Sequence, residues 1–170
     1  MESKYLLINR YSEIMFTDEK IKEDDLELIL QAGLNAPSGR NSQEGKIVVV
    51  QDKQLRDELS EMNAEIWSRP KKDPFHGAPT ILLVLVPKSN STKVQDGSAI
   101  LTMLQCQAFI LGIGSRWINR LKEMMETDYG QELLSKWGLE GYEGIGICVL
   151  GYPKLKGRKK QIKENRVIKA

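Results

Sequence analysis

Histidine is nearly missing from this chain: His76 stands alone among 170 residues. A single imidazole argues against Ser–His and Cys–His catalysis, and beside Pro74 and Gly77 it reads as a loop residue. Cysteine is scarce too. Cys106 and Cys148 lie in apolar runs, where a thiol behaves as a small buried hydrophobe, and neither stands at metal-ligand spacing. There is no G-x-x-x-x-G-K-[ST] phosphate loop and no G-x-S-x-G elbow. Gly112-Ile113-Gly114-Ser115-Arg116-Trp117 begins like a G-x-G-x-x-G fingerprint, but Trp117 takes the third glycine position. That segment also ends a helical run, whereas the fingerprint opens one. No apolar run approaches the ~20 residues of a membrane span. The first residues lack the apolar stretch of a secretory leader. The expectation is a cytoplasmic protein without a membrane or metal partner.

Net charge is small, +2, but uneven. Lys154 to Ala170 holds eight Lys or Arg and one acid, Glu164. The rest of the chain is therefore net acidic, and the tail forms a local cationic feature able to face an anion. Only Tyr152, at its start, supplies an aromatic, which argues against nucleic acid.

At 41% apolar and 28% charged residues, the chain can build a core. We expect one domain over 1–170, with 154–170 a basic tail able to reach a partner subunit. Residues 2–9 suit a short helix. DDLELILQAGLNA reads as a helix capped by Asp24 or Asp25, with Leu26, Ile29, Leu30 and Leu34 on one face. KIVVVQD reads as a strand. KQLRDELSEMNAEIW is amphipathic, with Leu55, Leu59, Met62 and Ile66 aligned. Thr80–Val86 is apolar on both faces, so it belongs inside a sheet. The helix after Asp96, its expected N-cap, is apolar nearly all round, so it is buried on most sides. One short domain can hardly surround it, which calls for a subunit interface. SRWI is a short connecting segment, NRLKEMMETDYGQELLSKW a polar helix, and EGIGICVLGYP a third strand. The order predicts a mixed α/β sandwich of sheet and helices.

The chemistry-bearing residues are scattered. They are Arg10-Tyr11-Ser12, Ala36-Pro37-Ser38-Gly39-Arg40-Asn41-Ser42-Gln43, Phe75-His76-Gly77-Ala78-Pro79, the Gly112–Ile118 segment, and Leu150–Pro153 followed by Lys156 and Arg158. Taken singly, Arg10 is a solvated charge, Trp117 a packing residue and the 36–43 stretch a turn.

In this order and spacing the chain resembles the FMN-dependent nitroreductase family, over roughly residues 5–160. The family's R-R-S-x-R-x-F-like opening corresponds to Arg10–Phe16, and its A-P-S-x-x-N-x-Q-P-W stretch to Ala36–Gly45. Its G-A-P entry corresponds to Gly77–Pro79 and its D-g-x-A helix start to Asp96–Ala99. The G-L-G-s-x-W-i piece corresponds to Gly112–Ile118, and l-G-Y-P with K-x-R to Leu150–Pro153 with Lys156 and Arg158.

The resemblance implies an α+β three-layer fold. It has a mainly antiparallel central sheet flanked by helices, a long buried central helix, and an intertwined homodimer holding FMN between subunits. It also implies ping-pong hydride transfer through the flavin N5 from NADH or NADPH to a small-molecule acceptor: a nitroaromatic, a quinone or a flavin. Arg10, Tyr11 and Ser12, with Lys156 or Arg158, would face the phosphate. Asn41 and Gln43, as carboxamides, suit the alternating donors and acceptors of the flavin ring edge or the ribityl hydroxyls. Pro37 and Ser38 would approach from the other subunit. Gly114, Ser115 and the backbone of Trp117, Ile118 and Asn119 would lie along the N5 side. No catalytic side chain is needed, because the cofactor carries the chemistry.

Four positions depart from the pattern. Ile14 replaces a basic residue that would face the reduced ring, a charge Arg40, Lys71 or Lys72 could restore. Tyr11 replaces a basic residue, with a ring free to pack. Glu44-Gly45 replaces Pro-Trp and should widen the pocket. These departures keep two alternatives open: a flavin-binding protein with little turnover, and another flavin reaction on the same fold, such as reductive dehalogenation or flavin destruction.

Overall fold

A computed structural model of the chain describes residues 3–70, 72–155 and 157–169. Six strands and five helices organise these residues: β1 Met15–Phe16, α1 Glu23–Leu34, β2 Lys46–Val50, α2 Lys53–Ile66, β3 Thr80–Pro87, α3 Lys93–Ile110, β4 Gly114–Ile118, α4 Leu121–Met125, α5 Asp128–Lys136, β5 Tyr142–Gly151 and β6 Pro153–Leu155. Four strands form an antiparallel sheet in the order β2-β3-β5-β4, and β1 pairs with β6 in a separate two-stranded ribbon.

The sheet is the middle of three layers, and the two-residue period of its strands decides what each face buries. Ile81, Leu83 and Leu85 of β3, with Ile147 and Val149 of β5, face Leu59 of α2, Met124 of α4 and Leu133 of α5. Leu82, Val84, Cys148 and Leu150 face the other way, onto Leu26 and Ile29 of α1 and Leu101, Leu104 and Ala108 of α3. β3 is buried on both faces from Thr80 to Val86, as its continuous apolar run requires. The register shifts between Val84 and Leu85, leaving Ile145 of β5 over Gly97, where a Cβ would lie 2.5 Å from Ile145. That lets α3 lie close on the sheet.

Several local expectations are corrected. SRWI is part of a strand, β4, which pairs antiparallel with β5 as the sheet edge. The polar helix is two helices. The Thr127 hydroxyl accepts a hydrogen bond from the Gly130 N–H at 3.0 Å and starts α5, and a side chain at Gly130 would strike the Met124 carbonyl. Residues 3–9 form two 3-10 turns. The N-cap of α1 is Lys22, with Glu23, Asp24 and Asp25 in the first turn, where acids complement the helix dipole. Thr92 precedes α3, and Asp96 lies inside its first turn.

The faces of α3 are unequal. Leu101, Leu104 and Ala108 are buried, whereas Val94, Thr102 and Ile110 are exposed. Leu34 and, near the amino terminus, Leu7 and Ile8 are exposed as well. Residues 157–169 carry no regular element, and Ile162, Val167 and Ile168 lie open.

Candidate functional site

A cluster at the carboxyl-terminal end of α3 joins three distant parts of the chain. Arg10 is half-buried, and its Nη1 donates to the Tyr11 carbonyl at 3.3 Å and to Gln105 Oε1 at 3.5 Å. Both are neutral acceptors, so its charge meets no carboxylate among the described residues. The Tyr11 ring packs edge-on against Phe109 of α3 at 5.7 Å, the packing role open to it in place of a cation. Gly157 then passes so close that a Cβ there would lie 2.1 Å from the Ser12 carbonyl oxygen. Its N–H donates to Glu13 Oε2 at 2.7 Å. Ser12 and exposed Arg158 are thereby brought to one neighbourhood with Arg10. Lys156 lies outside the described residues.

Pro37, Ser38, Asn41 and Gln43 stand at the opposite end of α3. Arg40, Asn41 and Gln43 all adopt positive φ, an uncommon run for non-glycine residues. The loop is held from inside and outside. Ser38 Oγ accepts from the Gln43 N–H at 3.1 Å, and Gln43 Nε2 donates to Asn41 Oδ1 at 3.0 Å. The Gly39 N–H donates to Asp96 Oδ1 at 2.9 Å. Asp96 Oδ2 also accepts from Asn90 Nδ2 and Thr92 Oγ1. The two carboxamides remain exposed and meet each other. A cavity of about 200 Å³ opens between Pro37, Ser38, Gln43, Gly45, Asp96 and Ile100. Gly45 does not leave the room that a missing ring suggests: a Cβ there would fall 2.4 Å from Ile100 Cδ1, so the isoleucine fills the space.

β4 contributes backbone. The Ser115 carbonyl accepts from the Glu13 N–H at 3.1 Å on the outer edge of the sheet. Alternation along an antiparallel strand then places the N–H and C=O of Trp117 on that same edge. The Trp117 indole turns inward instead: its Nε1 is buried without a partner and lies over Gly146. Ile118 points into the opposite core layer. The Asn119 carbonyl accepts from Asn63 Nδ2 at 2.8 Å. Gly114 has no space for a side chain, since a Cβ would meet Glu13 Cγ at 2.7 Å.

The side chain of Ile14 is exposed. It lines a cavity of about 610 Å³ with Met15, Trp67, Arg69, Lys72, His76 and Lys154, among others. Arg40 lies elsewhere, beside Ser89–Thr92, and Lys71 is outside the described residues. Among the proposed substitutes, Lys72 therefore shares the cavity with Ile14, and Arg69 and Lys154 join it. The carboxylate on this wall, Asp73, is already engaged. Burial opposes its charge, but Arg56, Ser60 and the Gly77 N–H outweigh it and hold the carboxyl below its ordinary value. Burial, and then the Arg116 charge, push the His76 imidazole below its ordinary value. The cavity wall is thus cationic, with an apolar shelf of Ile14, Met15 and Trp67. The cavity sits next to the Arg10–Ser12 segment in sequence. Arg69 and Trp67 were invisible to sequence reasoning; the Ser-Arg-Pro-Lys-Lys-Asp run after α2 was the available signal.

One chain does not unite these groups. Arg10 rests against Gln105 and the 36–43 loop against Asp96. Nine helical residues, about 13 Å of α3, separate those anchor points.

Fold and site together define a three-layer α+β protein with Arg10, free of a carboxylate partner among the described residues, at one end of its central helix and a carboxamide loop at the other. The chain belongs to the nitroreductase family, whose pattern it matches over residues 7–152; this family is a group of FMN-dependent oxidoreductases. It is 29% identical over 154 residues to a putative NADH dehydrogenase/NAD(P)H nitroreductase of Archaeoglobus fulgidus, covering 88% of this chain and 84% of that one. Its fold is similar to that of an FMN-bound nitroreductase from Bacteroides fragilis, with a TM-score of 0.91 at 23% identity over 100% and 99% of the two chains. It is also similar to an iodotyrosine deiodinase bound to FMN and 3-iodo-L-tyrosine, with a TM-score of 0.75 at 22% identity over 97% of each chain.

Proposed function

We propose that this chain is a cytoplasmic FMN-dependent NAD(P)H oxidoreductase that works as a homodimer and reduces a nitroaromatic, a quinone or a similar acceptor. The observation that carries the reading is Arg10. It is half-buried, has no carboxylate partner among the described residues, and lies where Ser12 and the Gly157–Arg158 segment converge. A guanidinium held that way suits a phosphate dianion. The donor set fits FMN at that end. The carboxamides of Asn41 and Gln43 and the hydroxyl of Ser38 fit the ring or ribityl chain at the other.

FMN, when bound, supplies two-electron transfer between a reduced nicotinamide and the acceptor. The protein's residues do the rest. Arg10 and Ser12, with Lys156 or Arg158 as the second cation, would bind the phosphate. Gly114 and Ser115 keep the edge of β4 close to Glu13, and the Trp117 edge amide, with the Asn119 backbone just beyond the strand, would offer donors along the ring. Arg69, Lys72 and Lys154 place positive charge in the Ile14 cavity, replacing the cation missing at position 14. Pro37, Ser38, Asn41 and Gln43 complete the site of the partner copy. The separation along α3 supports this sharing, as do exposed Val94, Thr102 and Ile110.

Purification tests the reading. A yellow protein that bleaches with NADH or NADPH under nitrogen, and that elutes as a dimer, supports it. A colourless protein that takes up no added FMN sinks it. The likeness to a deiodinase extends the acceptor screen to iodinated tyrosines alongside nitroaromatics and quinones. A flavin-loaded protein that neither nicotinamide reduces would favour the binding-only alternative.

A further inference from the structure

Two buried carboxylates stand beside the proposed site; Asp96 borders the cavity at the 36–45 loop, and each spends an oxygen on a backbone N–H. Glu13 is 4% and Asp96 5% exposed. Each accepts the backbone N–H of a glycine, Gly157 at 2.7 Å and Gly39 at 2.9 Å. Both glycines sit where a side chain cannot. A Cβ on Gly157 would lie 2.1 Å from the Ser12 carbonyl, and one on Gly39 2.3 Å from Thr92 Oγ1. The two contacts span 144 and 57 residues of sequence. Neither belongs to a helix or a strand ladder.

We propose that Glu13 and Asp96 are positioning residues, each clamping one half of the cofactor site into its binding shape before the cofactor arrives. This rests on the reading of the two halves given above. Glu13 is fixed on three sides. Its N–H donates to the Ser115 carbonyl, its carbonyl accepts from Arg116 Nη1 at 2.8 Å, and its Cγ lies against Gly114. With its backbone anchored to β4, its carboxylate can hold the tail segment at Gly157 beside Arg10 and Ser12. Asp96 is fixed by the first turn of α3. Its second oxygen accepts from Asn90 and Thr92, and Asn90 Nδ2 also reaches Glu44 Oε2 at 3.0 Å. The 36–45 loop is thus held at Gly39 directly and at Glu44 through Asn90. A charged acceptor binds an N–H more strongly than a neutral one. Ordering these segments in advance removes an entropic cost from binding.

The two clamps hold different halves, so their loss has different signatures. FMN and riboflavin differ by the phosphate, which makes the pair a suitable probe. The test uses full-length protein freed of flavin, titrated with each ligand by fluorescence, with hydrogen exchange of the apo form beside it. Glu13→Ala raises the FMN Kd by about tenfold or more and leaves riboflavin within about threefold of wild type. Asp96→Ala raises both by a similar factor of about ten. In the apo protein, Glu13→Ala speeds exchange in the peptide carrying Gly157, and Asp96→Ala does so in the 36–45 peptide, each without the other. Glu13→Gln keeps an acceptor oxygen but loses the charge, so it falls between wild type and Glu13→Ala by both measures.

Tightening of FMN by both Glu13→Ala and Glu13→Gln would overturn the clamp, because it would mean that the carboxylate acts only by repelling the phosphate. Unchanged exchange at both glycines would overturn it too. A wild-type protein that binds riboflavin as well as FMN would instead refute the phosphate assignment. The exchange data would still decide the clamps. If Glu13→Ala fails to fold, Glu13→Asp retracts the carboxylate by one methylene and must reproduce both the exchange and the selectivity change.

Discussion

Replacing Gly157 by alanine attacks the tail joint from its other side. The added Cβ would sit 2.1 Å from the Ser12 carbonyl oxygen and 2.8 Å from Tyr11 Cδ2. Ordinary contact needs more than 3 Å, so the segment must retreat by about 1 Å or the Arg10–Ser12 backbone must yield. The cost is crowding against the Tyr11 and Ser12 atoms that the added Cβ would meet. A retreat of about 1 Å stretches the 2.7 Å bond to Glu13 beyond hydrogen-bonding range. Losing a hydrogen bond to a charged, buried acceptor costs about 1.5–3 kcal/mol. FMN affinity should therefore fall by about 10- to 150-fold, and riboflavin affinity by much less. The damage stays local. The tail pairs through the two-stranded β1–β6 ribbon and not with the four-stranded sheet. Flavin fluorescence titration reads the loss. Gly138→Ala is the control: Gly138 has φ +66 with nothing within 4 Å. That substitution costs stability, about 1 kcal/mol, and leaves both flavins alone. FMN binding by Gly157→Ala within about threefold of wild type would refute the crowding argument and the place of the tail in the site.

Three further outcomes follow from the packing and the charges. Leu104, fully buried between α1 and the sheet, should cost about 2–5 kcal/mol as Leu104→Ala in denaturant unfolding; a loss below about 1 kcal/mol would contradict the assigned core. Acidification should weaken the fold in two stages. The folded His76 sits below its ordinary 6.5, so below that pH the unfolded chain takes up the proton first and stability drops. Asp73, also lowered, contributes stability above its ordinary 3.8 and loses it as pH falls through its folded value. Unfolding curves from pH 7 to 4 should show His76→Gln removing the upper part of that slope; an unchanged slope would refute it. Burial pushes the Cys148 thiol up to about 12, so Cys148 should stay silent to thiol reagents until unfolding. Half-buried Cys106 on α3 should react, and faster on dilution if a second copy covers that helix.

The strands and helices most easily read from sequence were those with the simplest burial. Thr80–Val86 is apolar at nearly every position because both faces of β3 are covered, and the helix α3 announced itself by length. β4 escaped notice because an edge strand of five residues with Arg116 at its centre shows no alternation that five residues could establish. The division between α4 and α5 was hidden in a continuous polar pattern. Its signal was Thr127 three residues before Gly130, a cap and a close approach. At the site, residue types pointed to an anion and to a ring edge, but conformation did not show. Nothing in Arg40 or Gln43 advertises a positive φ. Glu13 and Asp96 were illegible as clamps because each holds a backbone N–H, and backbone partners leave no mark on the sequence.

The distribution of anchors along α3 is what favours a shared site in the proposed function. Arg10 reaches Gln105, and Asp96 holds Gly39, on one helix about 13 Å apart, so a cofactor seated at Arg10 cannot also rest on its own chain's 36–43 loop unless it spans that gap. A second copy arranged antiparallel along α3 brings its loop end to the first copy's arginine end, and the symmetry then completes two sites at once. The face of α3 that remains open in one chain, with Val94, Thr102 and Ile110, is the surface such an arrangement would bury. Pre-forming each half within its own chain then has a physical purpose. Association need only dock two finished halves, and the cofactor need not order both a loop and a tail while it joins them. In that proposal the buried carboxylates serve the same end: they spend their charge on backbone N–H groups within one chain, and the guanidinium of Arg10 is left for the ligand proposed to bridge two chains.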